Sequence, residues 1–447
     1  MGFFAASCVM HLMRLLLFLL PLAVATATIV RADEPAPLTL EHAFASVEHV
    51  NLNVFLSREA AVQAAEAAYR QRAGILPQIA LDAQQQRELT VSSQNGGLTQ
   101  TGPYNRFDGQ ITASYDLLDA AQIETYRSAH TGAQGAQLDY QATLQQVFAT
   151  VAQAYFTHLR NLHQIDVLDS NIARAKSLLD LAETQLHAGV ATQIDVTRAE
   201  AELATDEQAR LQQDTVVYQS ELQLQRLLDL DLSKPLKLDD FPVQHVDAEP
   251  LDAGTEHRAF ALRSDYLSAK SQVRQNQQSV LAARFESLPV LSLFGDYGYA
   301  NQRAFDGGDH EEWLAGVEFN LPIFDGLRAR SDRHTALSRL RAQERSLHDL
   351  ETQISSEVRL AIQDAHSRFA QIAVAEKSRQ LADQQLQLAS LRFKQGVADN
   401  QEVIDAQNGL VVAEDNLNDA IYLYNLSRVE LARAKGEVRN ILQERAP

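Results

Sequence analysis

The sequence predicts a mainly α-helical protein with a smaller β-barrel part: long antiparallel helices, paired as coiled coils, run into four strands per chain that belong to a closed transmembrane barrel. Three observations predict it. Breakers are scarce, with 19 Gly and 11 Pro in 447 residues, and 45% of the chain is hydrophobic. The prevailing Ala, Leu, Gln, Glu and Arg are the composition of long helices. The chain is also written twice, and each copy holds two segments in which apolar and polar residues alternate.

The duplication organises the rest. "RAGILPQIALDA" (Arg72 to Ala83) is answered by "FESLPVLSLFG" (Phe285 to Gly295), and "HAGVATQIDVTRAEAEL" (His187 to Leu203) by "KQGVADNQEVIDAQNGL" (Lys394 to Leu410). Gly189 and Gly396 stand 207 positions apart, Leu76 and Leu288 212 apart. Two landmarks of different composition recur in one order at nearly one offset. The limits that follow are an export signal at 1–32, a first repeat at 33–232, a connector at 233–254, a second repeat at 255–442 and a tail at 443–447.

The N-terminus reads as a cleaved export signal: Arg14, then the apolar run Leu15 to Ala27, then Val30-Arg31-Ala32. Cys8, the only cysteine, falls within or before it, so the mature chain forms no disulfide, thiolate metal site or cysteine nucleophile. A net charge of −19 argues against nucleic acid as partner. No later run is apolar for ~20 residues, the length of a membrane helix. An exported chain without such a helix still crosses a membrane as a closed barrel.

Within each repeat a helix (about Thr39 to Ala73; about Thr255 to Ser287) precedes a Leu-Pro step, where proline disfavours helix for the residue before it. A hairpin follows, at about 76–118 and 288–324. In Phe107 to Leu117 one face carries Phe107, Gly109, Ile111, Ala113, Tyr115 and Leu117, the other Asp108, Gln110, Thr112, Ser114 and Asp116. Trp313 to Leu321 repeats the alternation, as do Ile79 to Gln84 and Leu291 to Tyr299, with Phe294 the exception on the polar side. Period two means one apolar and one wet face. Lipid on one side and a watery lumen on the other account for it, with Tyr115, Tyr297, Tyr299 and Trp313 near the interfaces.

Ala120 to His187 contains no proline and reaches ~100 Å as a helix. Along it Leu144, Phe148, Val151, Tyr155, Leu159, Leu162 and Ile165 step by three or four. Leu347, Leu350, Ile354, Val358, Ala361, Ala365, Phe369 and Ile372 do so in the second repeat. That is coiled-coil spacing. Each long helix reverses at a Gly-Val pair, where a backbone without Cβ eases the turn.

With hairpins, helices and duplication in hand, the sequence resembles the TolC family of outer-membrane efflux proteins (outer membrane factors) over roughly Leu38 to Leu442. Its most specific marks are "LPVLSLFGDYGY", "FNLPIFDGLRAR" (Phe319 to Arg330) and the paired Gly-Val turns. The resemblance implies a homotrimer whose twelve strands, four per chain, close in outer-membrane lipid without an edge. It also implies a helical tunnel in the periplasm, coupled to a periplasmic adaptor (membrane fusion) protein and an inner-membrane pump. The family's ducts serve tripartite efflux and type I secretion, and no cofactor is implied.

By the same resemblance, the turns Gly189-Val190 and Gly396-Val397 are where adaptors dock. Glu402 and Asp405, at i and i+3 on one helix face, match the two positions that ring the tunnel at its narrowest point and favour cations. Asp195 is the matching acid of the first repeat and a latch between neighbouring helices. The sequence departs from the family in carrying Ala398 and Asp399 where a basic latch partner is expected, and Glu402 where aspartate is usual.

Enzymatic activity finds no support, since no HExxH, P-loop or GxSxG pattern occurs. His42, His49, His158 and His163 read as surface residues of polar helices. Two rivals from other classes fit less well. A periplasmic adaptor would carry one hairpin and many soluble β-segments, and an exported coiled-coil scaffold would leave the four alternating strands without purpose.

Overall fold

The computed structural model describes residues 37–94, 97–241, 253–303 and 310–445. The export signal, Cys8 and part of the connector lie outside these residues. The first repeat comprises α1 (Leu40–Val50), α2 (Leu52–Ala73), β1 (Gln78–Gln94), β2 (Gly97–Leu118), α3 (Ala120–His187) and α4 (Gln193–Leu227). The second comprises α5 (Ala253–Leu262), α6 (Ser264–Phe285), β3 (Val290–Asn301), β4 (His310–Asn320), α7 (Arg328–Lys394) and α8 (Asn400–Lys435), followed by a 3-10 turn at Val438–Arg445. No described helix is long and apolar enough to cross a membrane.

The long helices α3 and α7 hold 68 and 67 residues, ~100 Å each. No helix of that length rests on propensity alone; a packed stripe supports it. Towards the strands α3 packs against α2 and α6, and α6 against α7; towards the other end α3 packs against α4 and α8, and α8 against α7. The wall is thus four helices wide at both levels. Phe148, Val151, Tyr155 and Leu159 of α3 and Ile354, Val358, Ala361 and Ala365 of α7 are buried, as their spacing predicts. Beyond them Leu162, Ile165, Phe369 and Ile372 are only half-buried.

The main core sits at the waist, where the short elements wrap α3. Leu40, Ala43, Phe44 and Val47 of α1, spaced for one helical face, meet Phe148, Val151 and Tyr155 of α3, Leu224 and Leu228 at the end of α4, and Phe241. Phe44 and Phe148 stack with centroids 4.8 Å apart. A smaller cluster in the second repeat joins Ala259 to Ile354, Val358 and Leu431.

Two expected elements differ. The helices read as Thr39–Ala73 and Thr255–Ser287 are each broken in two. At Asn51 the side-chain oxygen accepts from the amides of Asn53 (3.0 Å) and Val54 (3.4 Å), starting a new helix and freeing α1 to cross to the waist. At Arg263 the buried guanidinium pairs with Asp265 and Glu357, both at 2.6 Å. Burial alone would raise these carboxyls, but Arg263 outweighs it and holds both below the ordinary value. The strands also outrun the alternation: β1 continues to Gln94 and β2 begins at Gly97. The added part begins with Gln85, Gln86 and Arg87, polar on both faces, so no period marks it.

The four strands form one antiparallel sheet in the order β1-β2-β3-β4, and the β2–β3 pairing joins the two repeats. Register aligns the predicted faces across it. Leu81, Ile111, Tyr297 and Trp313 fall in one row, and Tyr115, Leu293 and Val317 in another. This face is bare in the protomer, with Leu81 77% and Trp313 70% exposed. The opposite face is polar: Thr112 donates to Asp82 (3.2 Å) and Ser292 to Asp116 (2.5 Å). Phe294 breaks the pattern for a steric reason. It pairs with Gly316, and a Cβ there would stand 2.6 Å from its ring, so the glycine accommodates the aromatic.

Candidate functional site

The α3–α4 and α7–α8 hairpins meet at their tips. Both reversals are built alike. Gly189 and Gly396 adopt left-handed backbone, φ +77° and +70°. The amides of Gly189 and Val190 bond back to Leu186 and Gln185 O, and those of Gly396 and Val397 to Phe393 and Arg392 O. This is the Schellman closure, which satisfies the last carbonyls of a helix and needs a residue without a Cβ penalty. Val190 and Val397 are 65% and 67% exposed, so each tip ends in an apolar knob. Val190 also touches the other tip, with Cγ1 3.6 Å from where a Cβ on Gly396 would lie.

Two reciprocal hydrogen bonds tie the tips. Gln185 Nε2 donates to Phe393 O (3.2 Å), and Asn400 Nδ2, wholly buried, donates to Asp195 O (2.5 Å). Behind them Leu178, Ala182, Val196, Leu386, Phe393, Val403, Ile404 and Leu410 pack as one cluster drawn from all four helices. Farther along the same seam Arg174 pairs with Glu414 at 3.0 Å, and Arg160 pairs with Asp419.

The three candidate acids are not equivalent. Asp195 is buried in a capping box: its Oδ2 accepts from the amide (2.9 Å) and hydroxyl (2.6 Å) of Thr192, at the start of α4. Within the protomer its carboxylate therefore holds the helix end. Glu402, the residue 207 positions on, instead pairs with Arg392 at 2.9 Å. Asp405 is exposed and accepts from Gln401 Nε2 at 2.8 Å. Glu402 and Asp405 thus stand one helical turn apart, one offset by an arginine and the other not.

Arg392, Asn400 and Gln185 were not legible as site residues. Arg392, in the last turn of α7 where a cation complements the helix dipole, pairs with Glu402 and not with Asp195, whose basic neighbour is Arg198 at 4.0 Å, one turn along its own helix. A weak signal existed: an arginine four residues before the turn glycine. Asn400 has none, because its partner is a backbone carbonyl 205 positions away. His158 also corrects the sequence reading. It is buried, not on the surface, with Nδ1 2.8 Å from Ser220 Oγ. His163 is 42% exposed, 3.8 Å from Asp240.

Against known proteins, the model of the outer membrane efflux protein family matches residues 53–229 and 257–437. Outer membrane protein OprJ of Pseudomonas aeruginosa is 26% identical over 397 residues, 84% of this chain and 79% of its own. Outer membrane protein TolC of Vibrio cholerae is 23% identical over 394 residues, 86% and 87% of the two chains. The Campylobacter jejuni CmeC outer membrane channel superposes with a TM-score of 0.80 at 22% identity, covering 91% of this chain and 89% of that one. Long helices feeding a four-stranded sheet define an outer-membrane channel whose helical part stands in the periplasm. The chain belongs to the outer membrane efflux protein family.

Proposed function

We propose that three copies of this chain form the exit duct of a tripartite efflux or type I secretion assembly, carrying substrates from an inner-membrane pump and periplasmic adaptor to the exterior. One observation carries the reading: the sheet has a continuous apolar face, and the outer edges of β1 and β4 face no other described strand. If β4 of each copy pairs with β1 of the next, twelve strands close and no backbone group is left unpaired in lipid. The helices below then surround the same axis. Gel filtration and planar-bilayer recording of the detergent-purified protein test this; a monomer, or a trimer without ion conductance, refutes it.

The tips set the duct's second end. Val190 and Val397 offer apolar knobs to the adaptor, held by the Gly189 and Gly396 turns. Glu402 and Asp405, three copies of each, ring the axis and favour cations. Two such charges ~5 Å apart repel by somewhat under 1 kcal/mol at water-like dielectric and more in a confined pore. Because Arg392 already offsets Glu402, Asp405→Asn lowers cation selectivity more than Glu402→Gln does. Equal selectivity in both variants and the wild type removes the ring.

A further inference from the structure

The junction between β4 and α7 carries a feature that the fold itself does not need. Over 323–345 the chain places six arginines against three acids, within a protein of net charge −19. The matching stretch of the first repeat, 117–139, has one arginine against three acids. Where the second junction runs from Leu321 to Leu327, the first joins strand to helix through Asp119 alone. There the helix begins at Asp119, in extended backbone, whose carboxylate caps the Gln122 amide at 2.9 Å. The second junction starts through Gly326 and Leu327, both left-handed, at φ +71° and +69°, and Asp325 there accepts from the Ala329 amide at 2.8 Å. A leucine held in left-handed backbone is strained, because its Cβ crowds the following carbonyl oxygen.

Arg328, Arg330 and Arg333 follow within two turns. Cations at a helix N-terminus oppose the dipole, unlike Arg70, Arg72 and Arg284, which lie in the last turns of α2 and α6 and are explained by it. All three are exposed and none forms a close ion pair with a described carboxylate, Arg328 interacting with Asp325 only at longer range. Ahead of them Ile323 is 93% exposed, Phe324 82% and Leu327 59%. These apolar side chains continue the bare face that ends at Phe319, itself 65% exposed.

We propose that this junction is a lipid-binding collar: Ile323, Phe324 and Leu327 enter the edge of the bilayer's periplasmic leaflet, and Arg328, Arg330 and Arg333 bind anionic phospholipid headgroups there. The inference rests on the sheet's apolar face meeting lipid. Its chemistry is direct. Guanidinium forks bind phosphate oxygens bidentately, and an apolar insertion beside a basic cluster is the pairing that fixes a segment at a membrane surface. The remaining arginines, Arg339, Arg341 and Arg345, lie ~9, ~12 and ~18 Å beyond Arg333 along the helix at 1.5 Å per residue, progressively farther from the apolar residues that mark the bilayer edge.

Spin-labelled phosphatidylglycerol and phosphatidylcholine, added to the full protein in mixed bilayers, give the relative affinity of the boundary lipids. The wild type prefers phosphatidylglycerol, each arginine contributing on the order of fivefold at low salt. Arg328→Gln/Arg330→Gln/Arg333→Gln abolishes the preference and Arg339→Gln/Arg341→Gln/Arg345→Gln leaves it intact. Equal preference in both triple variants overturns the proposal. So does a collar variant that forms fewer heat-resistant trimers in neutral detergent, since the arginines would then serve contacts between copies. Loss of phosphatidylcholine binding by the wild type as well would indict the barrel reading instead.

Discussion

Replacing Asn400 with alanine isolates the link between the two hairpin tips. The amide bond to Asp195 O is short, 2.5 Å, and the side chain is wholly buried, so water does not replace it. Losing the bond costs about 0.5–1.5 kcal/mol, the net worth of a hydrogen bond, because Asp195 O lies within α4 and keeps its helical amide partner. Asn400 Oδ1 has no partner among the described residues, and deleting that orphan returns part of the loss. A net of ~0.5–1 kcal/mol raises the local opening constant about 2- to 5-fold. Hydrogen exchange on the intact protein reads this at the amides of 193–198 and 400–405, with the waist amides around Phe148 as reference. Gln185→Ala, which breaks a longer and less buried bond, has the smaller effect. Unchanged tip exchange, or equal acceleration at tip and waist, refutes the claim that Asn400 clamps the tips.

Other outcomes follow from single residues. Burial holds His158 below its ordinary 6.5, with Glu221 opposing weakly, so the unfolded chain takes up the proton first. Its contribution to stability is intact above that value and is lost as the pH falls through it towards the lower folded value. The melting temperature should therefore drop between pH 7.5 and 5 less steeply in His158→Gln than in the wild type; parallel slopes reject this. A Cβ at Gly189 meets nothing within 4 Å, and at Gly396 only Val190 at 3.6 Å. Alanine at either costs only the left-handed backbone, about 1–2 kcal/mol by urea unfolding; a much larger loss at one of them means a contact has been missed. Gly316→Leu drives a Cβ into the Phe294 ring and lowers the yield of heat-resistant trimer, which Phe294→Ala in the same chain restores. Without restoration the two residues are not partners.

Much of this molecule is written locally. The strand faces obey a period of two, so Ile111 and Trp313 could be assigned to one side from spacing alone, and register then brought them into one row. The long helices follow from absent breakers and a stripe stepping by three or four. The turn glycines are legible because only a residue without Cβ closes those helices cheaply. The family likeness supplied Glu402 and Asp405 as candidates, and their i, i+3 spacing put them on one face.

What tertiary structure decided lies where the deciding partner is far away in sequence. Asn51 and Arg263 look like ordinary polar positions in a helix until α1 and α5 fold back to the waist. His158 sits on a helix with polar neighbours, and only the approach of α4 with Ser220 buries it. Asp195 and Glu402 occupy equivalent positions, yet one caps its own helix and the other meets Arg392. Periodicity records which side of an element is dry. It carries no information about which side chain arrives from 200 residues away, because that depends on how two elements are packed and not on the pattern within either.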